Sequence, residues 1–188
     1  MPTTALEARK LSSTATDRCR ISELWGGTQS AGYGINSTGE VVGYADNSGG
    51  YEQAFLYSNG SMQSLGTLGG TSSDAFGINS TGEVVGWAYN SVGVQEAFLY
   101  SNGVMQNLNT LIGTDSSLYT LTSATAINGL GQIAVNGTVN STGQNAAFLL
   151  TPITTSSSTT VPAPGSLALL LFGMVGLVFL SRKRVLAR

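Results

Sequence analysis

The reactive side chains of this chain are few, and nearly all of them are carboxylates. Its 188 residues include ten Asp and Glu, one cysteine (Cys19) and no histidine. Without an imidazole there is no base for Ser-His-Asp or Cys-His catalysis, and one cysteine can form neither an intrachain disulfide nor a usual zinc site. Paired-carboxylate glycoside hydrolysis stays open, because Asp or Glu can supply both the acid and the nucleophile. No carboxylate lies in a distinctive motif, so we predict no catalytic, cofactor-binding or metal-binding residue and no enzyme activity.

Basic residues lie only near the two ends of the chain. Between Arg20 and Arg182 there is no Lys or Arg. The same interval holds eight carboxylates, which are Glu23, Glu40, Asp46, Glu52, Asp74, Glu83, Glu96 and Asp115. Affinity for nucleic acid comes mainly from Lys and Arg that neutralise phosphates, so we exclude nucleic acid as a partner.

The elements that must position these carboxylates come from a repeated unit. The segment GINSTGEVVGYA at 34–45 recurs as GINSTGEVVGWA at 77–88, and AFLYSNG at 54–60 recurs at 97–103, each at a spacing of 43 residues. Such matches indicate internal repeats, which decide the architecture before any local prediction.

A third, looser copy contains AINGLGQIAVNG at 126–137 and AFLL at 147–150, displaced by an insertion near 115–121. Each copy has short segments rich in Val, Ile, Phe, Tyr and Leu, separated by Asn-Gly turns, and this pattern is typical of strands. The strands predicted for the second copy are 64–68, 75–79, 83–89 and 96–101.

These patterns predict an all-β domain of three repeats of about 43 residues, each a four-stranded unit like a propeller blade. A β-trefoil-like threefold unit is the alternative, and an open fragment of a larger propeller is the third possibility. Residues 21–27 match a segment that the end of the third copy lacks. A strand from one end of the domain is therefore expected to complete the unit at the other end.

Comparing the copies separates structural positions from variable ones. Glu40 and Glu83 correspond to Gln132 in the third copy, so we expect these side chains on solvated turns or strand edges. The constant asparagines are expected to close turns by bonding to nearby backbone; they are Asn36, Asn79 and Asn128. The constant phenylalanines are expected in the core, and they are Phe55, Phe98 and Phe148.

The ordered motifs resemble the HAF family of bacterial extracellular repeats. The motifs I-N-x-x-G-x-V-V-G, A-F-L-Y, G-x-M and L-G-T-L-G-G stand at 35–43, 54–57, 60–62 and 65–70, and the resemblance covers about 21–152. It implies an exported or surface protein with no established chemistry. The histidine usual in this family before Ala-Phe is replaced by Gln53, Glu96 and Ala146.

The C-terminal tail resembles a PEP-CTERM sorting signal. A Ser/Thr-rich linker at 151–160 precedes an uncharged stretch, in which we expect a transmembrane helix at 166–181, and the basic cluster after it is expected to place the C-terminus in the cytoplasm. The resemblance implies an exosortase-type enzyme that removes the helix, although the family's glutamate is Ala163 here. A plain membrane anchor is the alternative. The residues that carry this resemblance are Val161, Pro162, Ala163, Pro164, Arg182, Lys183 and Arg184.

The chain is thus expected to have four parts: a leader at 1–20, the repeat domain at 21–150, the linker at 151–160 and the sorting signal at 161–188. The leader has no apolar segment like that of a signal peptide, so we expect it to be disordered or to follow from a wrongly assigned start.

We expect a non-enzymatic, exported protein of the bacterial cell surface, anchored in the membrane before processing. Its expected role is structural or adhesive, in the envelope or an exopolysaccharide matrix. The aromatic side chains expected to stack on the sugar rings of extracellular polysaccharide are Trp25, Tyr44, Trp87 and Tyr89. The alternatives are a carboxylate-dependent glycoside hydrolase and a carbohydrate-binding module on the same β scaffold.

Overall fold

The computed structural model describes residues 26–153 and 178–181. Between Gly26 and Ile153, eleven strands form three antiparallel sheets, so the prediction of a mostly β domain is confirmed. The two close sequence copies fall in the first and second sheets, and the looser copy falls in the third.

In each sheet the strands pair in chain order. Sheet 1 consists of β1 (Gly26–Ile35), β2 (Val41–Asn47), β3 (Glu52–Ser58) and β4 (Ser61–Gly66). Sheet 2 consists of β5 (Gly69–Ile78), β6 (Val84–Asn90), β7 (Gln95–Ser101) and β8 (Val104–Asn107). Sheet 3 consists of β9 (Tyr119–Ile127), β10 (Ile133–Val139) and β11 (Gln144–Ile153).

The predicted grouping of the strands was wrong at one place. The segment 64–68, predicted as a strand of the second unit, instead contributes its first residues to β4, which pairs with β3 of the preceding sheet. The fourth strand of sheet 2 is β8, which pairs with β7. The turn Asn102-Gly103 brings β8 back along β7, since both of its residues adopt positive φ and this suits a tight hairpin.

The segment between β8 and β9, which includes part of the insertion near 115–121, folds as two short helical turns. These are α1 (Leu108–Leu111) and a 3₁₀ helix (Gly113–Ser117). Asn107 caps α1 by accepting a hydrogen bond from the backbone N–H of Asn109 at 2.9 Å, and Leu108 is buried between sheets 2 and 3. The loop therefore adds apolar packing as well as length.

A short twelfth strand, β12 (Val178–Ser181), pairs antiparallel with the end of β11 and occupies the edge of sheet 3, so the last four residues of the expected transmembrane helix form a strand here. This is the edge where residues 21–27 were expected to add a strand; Gly26 and Gly27 instead begin β1 in sheet 1. β11 runs through Ile153, three residues into the expected linker. Residues 1–25, the remaining linker and residues 166–177 of the expected transmembrane helix lie outside the described residues.

The three sheets pack face on face in chain order. β5 contacts β1, β2 and β3, whereas β9 contacts β5, β6 and β7, so sheet 2 lies between sheets 1 and 3. The core between sheets 1 and 2 contains Val42, Leu65, Val84 and Phe98. The core between sheets 2 and 3 contains a second set, Val85, Leu99, Leu108, Leu121, Ile133 and Leu150.

A close backbone crossing explains a glycine in the second strand of sheets 1 and 2. A Cβ on Gly43 would overlap the carbonyl oxygen of Ala31, and a Cβ on Gly86 would overlap that of Asp74. In sheet 3, Val135 occupies the sequence position of Gly43 and Gly86. The register between β9 and β10 is shifted there, and Gly137 instead makes the close approach, to the carbonyl oxygen of Thr120.

Candidate functional site

The turns between the first and second strands of the sheets stack in a ladder. In sheet 2 the Asn79 side-chain oxygen accepts hydrogen bonds from the backbone N–H groups of Thr81 (3.1 Å) and Glu83 (3.0 Å). Asn36 and Asn128 make the same bonds in their own turns. The prediction that these asparagines close turns is confirmed.

The same asparagines also connect neighbouring turns. Asn36 Nδ2 donates to the carbonyl oxygen of Asn79 at 3.0 Å, and Asn79 Nδ2 donates to that of Asn128 at 3.3 Å. Each asparagine therefore shapes its own turn and holds it against the next one. Sequence comparison found the turn role but not this bond between sheets.

Glu40 and Glu83 lie in these turns, as expected, and their partly exposed carboxylates also accept hydrogen bonds there. Glu40 Oε2 accepts from Asn36 Nδ2 at 2.7 Å, and Oε1 accepts from Ser58 Oγ at 2.8 Å. These hydrogen bonds, from Asn36 first and then Ser58, lower the pKa of Glu40 below its usual value. In sheet 3 the Gln132 amide oxygen accepts from Asn128 Nδ2 at 2.8 Å, so the exchange of Glu for Gln keeps the acceptor.

A polar cleft of about 280 Å³ lies between the first two turns. It is lined by hydroxyl groups of Thr38, Ser58, Ser80 and Thr81 and by the Glu40 carboxylate. The cleft offers hydrogen bonds to a small polar molecule. It has no aromatic side chain among its lining residues, so it lacks the flat apolar surface on which a sugar ring stacks.

Aromatic and acidic side chains meet at a second place, which we call the tyrosine–carboxylate cluster and define as Tyr33, Tyr44, Glu52 and Asp74. The ring of Tyr33, 51% exposed, lies 6.0 Å from that of Tyr44 and packs edge-on against Phe76 at 5.4 Å. Burial raises the pKa of Tyr44, and the charges of Glu52, Asp46 and Asp74 raise it further. The cluster therefore joins sheets 1 and 2 through side chains of both.

Asp74 is the unusual member of this cluster. It is only 6% exposed, and its Oδ1 atom has no hydrogen-bond partner. Burial, and then the charge of Glu52, raise its pKa to about 7, against the effect of the Ala75 backbone N–H. An acid with this pKa changes charge near neutral pH.

The structure brings together only part of the predicted aromatic set. Tyr44 belongs to the tyrosine–carboxylate cluster, whereas Trp87 and Tyr89 pair edge-to-face on β6 at 5.2 Å, both half-buried. Trp25 lies outside the described residues. The sequence patterns did not identify Tyr33 or Asp74 as members of a site. Asp74 could have been noticed because it places a charged residue at a strand position that is uncharged in the other two sheets, where Ala31 and Ser123 occupy it.

The predicted sorting-signal residues, 161–164 and 182–184, lie outside the described residues. In the described part of the chain, no helix is long and apolar enough to span a bilayer. Among those same residues, no group of three Asp, Glu, Cys or His side chains is close enough to hold a metal ion.

Comparisons with known proteins identify no relative. No protein-family model matches the chain, and neither the curated proteins nor the solved structures include one that is significantly similar to it.

Proposed function

We propose that this chain is a non-enzymatic, exported repeat protein of the bacterial cell surface, with a structural or adhesive role in an extracellular polysaccharide matrix. The observation that carries the proposal is the tyrosine–carboxylate cluster. An exposed tyrosine ring presents an apolar face to the C–H groups of a sugar, and carboxylates accept hydrogen bonds from its hydroxyls. Tyr33 supplies the exposed ring, and Glu52 supplies a half-buried carboxylate whose charge contributes to raising the pKa of Tyr33.

The charge of the domain selects the kind of polysaccharide. Residues 26–153 contain seven carboxylates and no Lys or Arg. Such a surface repels sulfated or uronate-rich chains, because like charges across an interface disfavour association. The proposed ligand is therefore a neutral polysaccharide.

Matched tyrosine variants test this proposal. Tyr33 and Tyr51 are almost equally exposed, at 51% and 49%, but Tyr33 packs against two other aromatic rings. We expect Tyr33→Ala to weaken binding of the full chain to a soluble neutral glucan by about tenfold, the loss expected for one aromatic stacking contact. Tyr51→Ala is the control. Equal affinities of the two variants, or tighter binding to alginate than to the glucan, would contradict the proposal.

The sequence resemblances add an architecture and a cellular location to the proposal. The sheets are blade-like units in a propeller-like series, and the tail is a PEP-CTERM-type signal that holds the chain in the membrane before an exosortase-type enzyme removes its helix. The face-on-face order of the sheets supports the first part. Intact-mass measurement of the surface protein tests the second: we expect a mature form without residues 167–188, and a full-length mass would contradict it.

One observation favours the second candidate function, a carboxylate-dependent glycoside hydrolase. Burial, and then the charge of Glu52, raise the pKa of Asp74 to about 7, and a carboxyl group that keeps its proton near neutral pH is what a glycosidase general acid requires. The burial of Asp74 argues against this function, since a general acid must reach the glycosidic oxygen. Release of reducing ends from a neutral glucan that Asp74→Asn abolishes would establish hydrolysis and overturn the non-enzymatic proposal.

A further inference from the structure

The two ends of the stack of sheets present complementary faces. We call the face of sheet 3 turned away from sheet 2 its outer face, and the face of sheet 1 turned away from sheet 2 its outer face. Because sheet 2 separates the other two sheets, neither outer face packs against a described sheet.

The outer face of sheet 1 is equivalent to the face of sheet 2 that packs on sheet 1. Ile35, opposite Val41 in the ladder, is 70% exposed, whereas the equivalent Ile78 is 8% exposed in the core between sheets 1 and 2. Val41, Tyr57 and Met62 share this outer face and are partly exposed. The face is already buried at Phe55 and Ala45, so its open part is the end near Ile35.

The outer face of sheet 3 is equivalent to the face of sheet 1 that packs on sheet 2, and to the face of sheet 2 that packs on sheet 3. Val42 and Val85 are fully buried in the two internal junctions, and their equivalent in sheet 3 is the exposed Ala134. Leu149, opposite Ala134, is 52% exposed, whereas its equivalent Leu99 is buried. Ala147 is likewise exposed in place of the buried Ala54 and Ala97.

Charge does not oppose contact between the two outer faces. The carboxylates of sheet 1 lie toward sheet 2: Glu40 lines the cleft between the first two turns, and Asp46 and Glu52 act on the tyrosine–carboxylate cluster. No residue from Tyr119 to Ile153 is charged. Packing sheet 3 on sheet 1 therefore brings no like charges together, a contact that would cost free energy.

We propose that copies of this chain associate head to tail, with the outer face of sheet 3 in one copy packed on the outer face of sheet 1 in the next. At the open end near Ile35, the contact repeats the packing that the chain uses twice internally. It joins two different surfaces, so copies add until the series closes into a ring or continues as an open chain.

Single charge substitutions on each face test the proposal with the full chain in detergent, by sedimentation velocity across a range of concentrations. The wild type should form dimers or larger assemblies as its concentration rises. Ile35→Glu blocks one face and Leu149→Glu blocks the other, so each variant alone should lose association by about tenfold or more, because a buried unpaired charge is costly. An equimolar mixture should form dimers and nothing larger, since each variant retains the face that the other has lost.

Val92→Glu is the matched control, because Val92 is 79% exposed in the turn between β6 and β7 of the middle sheet; it should associate like the wild type. Both substituted positions are exposed, and unchanged circular dichroism verifies that the variants fold. A monomeric wild type would overturn the proposal, as would association that Ile35→Glu and Leu149→Glu leave intact, which is the result expected if micelles alone hold the copies together.

A gain of association provides a second, independent measurement. The close approach between first strands uses Gly34 and Gly77 in the internal junctions, where a Cβ would lie 2.9 Å from the Phe76 carbonyl oxygen and 3.1 Å from the Ala126 Cα, respectively. Ala126 occupies the equivalent position in sheet 3. Ala126→Gly should therefore tighten head-to-tail association, and weaker association in this folded variant would contradict the proposed geometry.

Discussion

At the residue scale, the sequence repeats predict the hydrogen bonds of the turn asparagines but not the burial of Asp74. The asparagines keep the same neighbours in sequence in every copy, so their hydrogen bonds within each turn could be predicted. Asp74 lies between Ser73 and Ala75 in a strand, and nothing local marks its carboxylate as buried. Its environment depends on the packing of sheet 1 on sheet 2, which brings Glu52 near it from another strand.

The raised pKa of Asp74 predicts a pH-dependent stability. The pKa is about 7 in the folded chain and 3.8 for an ordinary Asp, so between these values the folded state holds a proton that the unfolded state has released. Stability linked to Asp74 is therefore fully present below about pH 4 and is lost as the pH rises to about 7. We expect Asp74→Asn to raise the Tm relative to the wild type at pH 8, and by a smaller amount at pH 5.

The control for this prediction is Asp115→Asn, since Asp115 lies in the 3₁₀ helix away from the cluster. Thermal unfolding followed by circular dichroism measures both variants against the wild type. A Tm difference between Asp74→Asn and the wild type that stays constant from pH 5 to pH 8, or that grows as the pH falls, would contradict the burial of an ionisable Asp74.

At the element scale, the turn ladder connects sheets that are otherwise joined by apolar packing. The buried Asn79 accepts from two backbone N–H groups and from the Thr81 hydroxyl, donates to Glu83 Oε2 and reaches the next turn. Predicting strands from apolar runs located these turns correctly. It misplaced the fourth strands, because 61–66 and 104–107 are short and carry few buried residues.

Removing this side chain should cost more in the middle of the ladder than at its end. Asn79→Ala leaves the N–H groups of Thr81 and Glu83 without their acceptor and breaks the bond to Asn128, so we expect a loss of about 2–3 kcal/mol in unfolding free energy. Asn128→Ala is the matched comparison: Asn128 is exposed and makes the bonds within its turn. Urea unfolding measures both. Equal losses would show that burial and the bond between turns contribute nothing.

At the scale of the whole molecule, the same face-on-face contact joins sheet 1 to sheet 2 and sheet 2 to sheet 3. Phe55 and Phe98 are fully buried as predicted, but Phe148 is only partly buried, in the last of the three sheets. The sequence period predicted the three units and their apolar segments. It could not predict the order of packing or which face stays open, because these depend on contacts between residues far apart in the chain.

The stack also explains why the polysaccharide site is proposed at a junction. Tyr33 and Glu52 come from sheet 1, and Phe76 and Asp74 come from sheet 2, so no single unit contains the cluster. Sheets 2 and 3 do not reproduce it: the position of Tyr44 is Trp87 in sheet 2 and Asn136 in sheet 3, and that of Asp74 is Ser123 in sheet 3. The cluster is thus a feature of one junction rather than of the repeat.

The central claim, that the chain binds a neutral polysaccharide without cleaving it, is tested most directly by one incubation of the full chain with a soluble neutral glucan. Bound glucan and new reducing ends are measured in the same sample. We predict saturable binding, weakened about tenfold by Tyr33→Ala, and no increase in reducing ends. The absence of binding, or the appearance of reducing ends that Asp74→Asn abolishes, would contradict the claim.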